Sequence, residues 1–246
     1  IVTVYYCKKF HLLYNYLMDQ ITLAAKQVQQ LLNDPTDGHG FDHVERVRKI
    51  ALQIAEQEGG DRQIIELAVL LHDVDDYKIF GQASADNLTN AKRILSQAKI
   101  TTSIRHSVLD IISHMGYSKY LKGIRPQTLE GQIVSDADMC DAIGTQGILR
   151  THAFTLSQGH AFFNPAIAPR RHDLSPEQYQ VGAEHAVQHF FDKLLLIPNL
   201  MLTPTGQQIA QKRQQIMIDF LTNLFEETDS EIWQKHLREF IKSKSL

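Results

Sequence analysis

Three features are scarce in this chain, and each scarcity closes off a class of protein. Cysteine is the first: Cys7 and Cys140 are the only two, far apart, with no C-x-x-C pair. That pattern fits a reducing, cytoplasmic setting rather than a disulfide framework. Positive charge is the second: 25 Lys and Arg stand against 28 Asp and Glu, for a net charge of -3. The basic residues are scattered, so the stripe that a nucleic-acid-coating protein needs is missing and no nucleic-acid partner is expected. Long apolar runs are the third: none reaches the ~18 residues of a membrane span, so no membrane partner is expected either. Strand-type alternation, internal repeats and low-complexity linkers are lacking as well. The opening stretch Ile1 to Tyr6 is apolar, but no basic segment precedes it and no small-residue cleavage site follows, so it does not read as a signal peptide. Met18 opens a clean helical pattern. Residues 1–17 therefore read as an N-terminal extension, upstream or added, and residues 18–246 as the domain.

What is present is helical periodicity and an ordinary core, with a hydrophobic content of 43%. Leu17, Ile21, Ala24, Val28, Leu31 and Leu32 predict a first helix over 17–33. Val47, Ile50, Ala51, Ile54 and Ala55 predict a second from about Phe41, stopped by Gly59-Gly60. Asp61 is a natural cap for a third, from Arg62 to Val74. Residues 77–82 read as a loop, with helices to follow over 84–98 and from Thr101 or Thr102 to Met115. A loop with Gly116, Gly123 and Pro126 leads to a sixth helix from Thr128, which continues as helix over 143–156. Residues 157–174 read as a long loop, a feature that is often functional. Ser175-Pro176-Glu177-Gln178, Thr203-Pro204 and Ser230 are starts of three further helices, the first running to about Leu196. The expectation is a single all-α domain of roughly nine or ten helices, a monomer or a homodimer.

Polar residues break into these apolar faces at particular places. His43 precedes Val47 by four and Ile50 by seven; His72 follows Ala68 by four; Asp138 follows Val134 by four. All three point inward. Asp73 adds a carboxylate beside His72, with Asp75 and Asp76 just beyond. A single inward histidine is more often a satisfied core residue than a ligand, but four such residues form a candidate metal site of two imidazoles and two carboxylates. That set suits manganese, iron, cobalt or nickel and leaves coordination positions open, unlike a closed structural zinc site, which usually recruits cysteine. By the same weighing, the His185/His189 pair reads as structural, since Ala186 stands where a zinc protease needs Glu. His114 reads as structural or substrate-facing, and Cys140 as a small core residue.

Four stretches carry a resemblance to a known family: Gly38-His39-Gly40-Phe41-Asp42-His43, Leu70-Leu71-His72-Asp73-Val74-Asp75-Asp76-Tyr77-Lys78, Asp136-Ala137-Asp138-Met139-Cys140-Asp141-Ala142-Ile143-Gly144, and His189-Phe190-Phe191-Asp192-Lys193-Leu194. Their order resembles the HD superfamily of metal-dependent phosphohydrolases, most of all small bacterial HD pyrophosphohydrolases acting on nucleoside triphosphates. Met139-Cys140 departs from that pattern, which leads one to expect Arg or Lys and then Leu. The resemblance implies a helical fold and a divalent ion, manganese first, with magnesium, iron, cobalt or nickel as other candidates. It implies His43, His72, Asp73 and Asp138 as ligands, although Asp136 and Asp141 stay open beside Asp138. It implies hydrolysis of a phosphate ester or anhydride by metal-activated water, with a nucleotide as substrate. Asp76 is the acidic residue expected to align water or protonate the leaving group, unless it merely caps a helix. Lys78, Arg46, His39 and Arg150 are candidates for the substrate's phosphates, with Arg170 and Arg171 weaker ones. The alternatives are a nucleotide phosphomonoesterase or phosphodiesterase, and a regulatory module that binds metal or nucleotide without turnover.

Overall fold

The computed structural model of the chain describes residues 19–32, 40–170 and 185–244. Among the described residues every regular element is a helix and there is no strand. By packing, the chain divides into two compact units after Ala137, and each is taken by itself.

The first unit holds α1 (19–31), α2 (Phe41–Glu58), α3 (Arg62–Leu71), α4 (Tyr77–Phe80), α5 (Gln82–Asn87), α6 (Thr89–Gln97), α7 (Thr102–His114), α8 (Tyr117–Tyr120) and most of α9 (Leu129–Asp141). α2 and α3 form its centre. Val44, Val47, Ile50, Ala51 and Ile54 of α2 are buried, as is every residue of α3 from Ile65 to Leu71. A helix apolar on nearly all sides must be covered on nearly all sides. α7 packs against it with Val108, Ile111 and Ile112 buried. Each such aliphatic side chain removed from water contributes roughly 1.5–3 kcal/mol. The turn from α2 to α3 runs through Gly59 and Gly60, both at positive φ (88° and 95°), a conformation L side chains resist. Asp61 then caps α3, its Oδ1 accepting from the amides of Gln63 (2.8 Å) and Ile64 (3.2 Å).

The second unit holds the end of α9, then α10 (Gly144–Ser157), α11 (Ala186–Asp192), a 3-10 helix (Leu194–Leu200), α12 (Pro204–Glu227) and α13 (Glu231–Lys244). Thr203 caps α12 through the Gly206 amide at 3.0 Å, with Pro204 at the first helical position. Trp233, Phe190, Phe191 and Phe225 are fully buried and make the densest part of this core.

Four expectations need correction. α3 stops at Leu71 rather than Val74, so His72 and Asp73 stand in the turns just past its end. The loop expected over 77–82 contains the one-turn helix α4, and the single helix over 84–98 is two, α5 and α6, broken at Leu88 in the left-handed region (φ 50°). The break has a cause. The buried Asp75 carboxylate accepts from the amides of Asn90 and Ala91, both at 2.9 Å, and so caps α6 as a separate helix. With α8 also a single turn, the described helices outnumber the nine or ten expected. The helix start at Ser175-Pro176 lies outside the described residues; beyond it the chain forms α11 and then a 3-10 helix around Pro198.

Candidate metal centre

Two neighbouring helices of the first unit place the first ligand candidates. His43 lies in the opening turn of α2, on the same face as Val47 and Ile50, and is 1% exposed. His72 is the residue that ends α3. Helix ends leave carbonyls without intrahelical donors, and the His72 ring uses one: its Nδ1 lies 2.7 Å from the Val69 carbonyl oxygen. A carbonyl only accepts, so Nδ1 carries a proton and Nε2 is the ring atom turned toward the centre.

That Nε2 faces the Nε2 of His43 at 3.1 Å. Oδ2 of Asp73 completes the triangle, 3.4 Å from His72 Nε2 and 3.6 Å from His43 Nε2. The two rings meet edge to face, with centroids 5.2 Å apart. His43, His72 and Asp73 are the one group of metal-ligating side chains brought together among the described residues. Ligand bonds of about 2.1 Å separated by 90–110° set neighbouring donor atoms about 3.0–3.4 Å apart. Two sides of the triangle, 3.1 and 3.4 Å, meet that requirement and the third, 3.6 Å, is slightly longer; the donor set of two imidazoles and one carboxylate fits a borderline divalent ion.

The other candidates fall into different surroundings. Asp138 lies in the second unit, half-buried on α9. Near it, Asp141 is buried and ion-paired with Arg150 at 3.4 Å, so Arg150 holds a carboxylate of its own protein. Asp75 and Asp76 separate cleanly. Asp75 is 5% exposed, takes the capping role described above, and also accepts from Ser84 Oγ. Asp76 sits half-buried at the start of α4, its carbonyl accepting from the Phe80 amide at 2.8 Å. Lys78 lies on α4, and its side chain is outside what is described, as are His39 and Arg171. Arg46 pairs with Asp42 one turn back on α2. Burial alone would raise the Asp42 carboxyl, but the Arg46 hydrogen bond and charge outweigh it and hold it below the usual carboxylate range. His114 stacks on nothing metal-like; its Nδ1 meets the Asp110 carbonyl at 2.8 Å on α7.

Arg170 is occupied too. Its Nη2 donates to the buried Asp192 at 2.8 Å, and its amide donates to Gln188 at 3.2 Å. Trp233 Nε1 donates to the Ile167 carbonyl at 3.0 Å. The described part of the expected long loop is thus fastened to its own unit at both residues. One residue near the centre escaped the sequence reading: Glu66, a carboxylate inside the apolar run of α3, 1% exposed and fully ion-paired. The signal was available, since a charged residue amid Ile64-Ile65 and Leu67-Ala68-Val69-Leu70-Leu71 must be paired.

No helix among the described residues is long and apolar enough to cross a membrane. The sequence model of the HD domain matches residues 40–143, the stretch that contains every first-unit candidate but His39. A crystal structure of a Lactobacillus plantarum protein superposes with a TM-score of 0.73 and 34% identity, covering 86% of this chain and 97% of that one. An HD-superfamily hydrolase of Bacillus thuringiensis superposes with a TM-score of 0.69 and 31% identity, covering 87% and 99%. The uncharacterized protein YpgQ of Bacillus subtilis is 31% identical over 200 residues, 80% of this chain and 88% of its own. Its crystal structure in complex with ADP has a TM-score of 0.67 over 86% of this chain and 96% of that one. With the histidine–aspartate triangle already in place, these matches settle the family: the chain belongs to the HD superfamily of metal-dependent phosphohydrolases.

Proposed function

We propose that this enzyme is a nucleoside triphosphate pyrophosphohydrolase, releasing a nucleoside monophosphate and pyrophosphate. The observation that carries the reading is the pair of Nε2 atoms facing each other at 3.1 Å with Asp73 closing the triangle. His43, His72 and Asp73 would hold a divalent ion, manganese first. Such an ion lowers the pKa of water and offsets charge on phosphoryl oxygens. The nucleotide is supported by the relative crystallised with ADP and by the resemblance of the Asp75-Asp76-Tyr77-Lys78 stretch.

The chain's own residues then divide the work. Water attacks the α-phosphorus, the bond from that phosphorus to the bridging oxygen breaks, and pyrophosphate leaves. Asp76, three residues past Asp73, aligns the water or delivers a proton to the departing oxygen. Lys78 meets the phosphates as a point charge and Arg46 as a fork, assisted by His39. The test is a panel of ribo- and deoxyribonucleoside triphosphates with manganese, magnesium or cobalt, scored for both products. Equal release of monophosphate and pyrophosphate is expected. Orthophosphate alone would instead mark a phosphomonoesterase, and no release with any ion would end the proposal.

A further inference from the structure

Glu66 is a carboxylate buried within the apolar run of α3, and two guanidinium groups meet it. Arg48 of α2 donates to its Oε2 through Nε at 2.8 Å and again through Nη2. Arg62, one turn earlier on α3, donates through Nε to Oε1 at 2.8 Å. A second carboxylate, Glu45, lies 3.5 Å from Arg48 Nη1. A buried ion pair contributes little net stability over well-packed apolar residues of the same volume. Its geometric consequence is larger, because two N–H groups of one guanidinium converge on a single carboxylate oxygen, a fork that holds Arg48 and Glu66 at a set distance.

The fork joins the two helices that carry the imidazoles. Arg48 is five residues past His43 on α2 and Glu66 six before His72 on α3. At ~1.5 Å per residue these are about 7.5 and 9 Å along the two axes. α2 and α3 turn back on each other through Gly59-Gly60-Asp61, so the fork and the facing imidazoles are two rungs of one helical hairpin. Sliding or rotating one helix against the other would break the fork and change the His43–His72 spacing together. Resting on the metal-ligand reading above, we propose that the Arg48–Glu66 fork is a positioning pair that sets the separation of His43 and His72 and thereby the affinity for the ion. Arg62 meets the other oxygen, Oε1, from one turn earlier on the same helix as Glu66. Arg105 of α7 donates through Nε to the Ile100 carbonyl at 2.6 Å, a part-buried hydrogen bond outside the α2–α3 hairpin.

Arg48 spans the hairpin and Arg105 lies outside it, and that difference gives the test. Manganese binding is measured by calorimetry on wild type, Arg48→Gln and Arg105→Gln, alongside each protein's melting temperature. Arg48→Gln is expected to weaken binding about tenfold, the lower end for loss of a residue that orients metal ligands. Arg105→Gln, which loses a part-buried hydrogen bond elsewhere in the same unit, is expected to bind within twofold of wild type. Should Arg48→Gln fail to fold, Arg48→Lys, which keeps the charge but cannot fork, is compared in its place. Equal affinity in the Arg48 variant and wild type, or losses that merely follow the fall in melting temperature in both variants, would overturn the positioning role. Absence of binding by wild type would overturn the metal reading itself, a distinct outcome.

Discussion

The molecule buries two sets of histidines, and they do opposite things. In the first unit, His43 and His72 turn their Nε2 atoms toward each other with a carboxylate at 3.4–3.6 Å. In the second, His185 and His236 are set among aromatic rings. His185 packs edge-on to Trp233 (5.3 Å between centroids) and Phe163 (5.7 Å), and its Nδ1 accepts from the Gln188 amide at 3.3 Å, capping α11. His236 lies 4.7 Å from the Phe191 ring. Burial and helical spacing are common to both sets. What separates the first set from the second is the company of a carboxylate and, at His72, a backbone acceptor that commits the far nitrogen.

That contrast can be broken at its aromatic side first. Trp233→Ala removes the largest fully buried side chain and is expected to cost about 3–5 kcal/mol in urea unfolding. Manganese affinity should be unchanged in the variant at temperatures where it stays folded. A parallel loss of metal affinity would mean that the aromatic set serves the ligands after all.

A smaller effect sharpens the polar side. Asp75 and Asp76 are neighbours with separate tasks. Asp75→Ala strips the cap from α6 and is expected to cost about 1–3 kcal/mol of stability. Asp76→Asn should leave stability within about 0.5 kcal/mol and lower kcat by about 10²-fold, the modest end for a general acid or base. Denaturant titration and steady-state kinetics on both variants separate the two roles. Equal turnover by Asp76→Asn and wild type would remove Asp76 from the chemistry.

Much of this arrangement was legible in the sequence, and the rest has physical reasons for its silence. The inward faces of α2 and α3 could be read from Val47, Ile50, Ala68 and their neighbours, because a 3.6-residue period fixes which side chains share a face. The caps at Asp61 and Thr203 were legible because a cap acts on amides two or three residues away. The break at Leu88 was not, since its cause is Asp75, a carboxylate 15 residues upstream of the amide it caps. For Glu66 the need of a partner was legible but the partner was not, since Arg48 lies 18 residues away on another helix. The candidate ligands stand between these extremes: periodicity placed His43 and His72 inward, and the resemblance implied Asp73 and Asp138 beside them. Arg150 and Arg170 looked available for phosphate because their carboxylate partners, Asp141 and Asp192, are set by tertiary packing.

The claim that His43, His72 and Asp73 form a metal centre is tested most directly by titrating manganese into wild type and Asp73→Ala in a calorimeter. Asp73 is partly exposed at 13%, so the variant is expected to fold. The account predicts saturable binding by wild type and its loss in Asp73→Ala. Undiminished binding by the folded variant would contradict it.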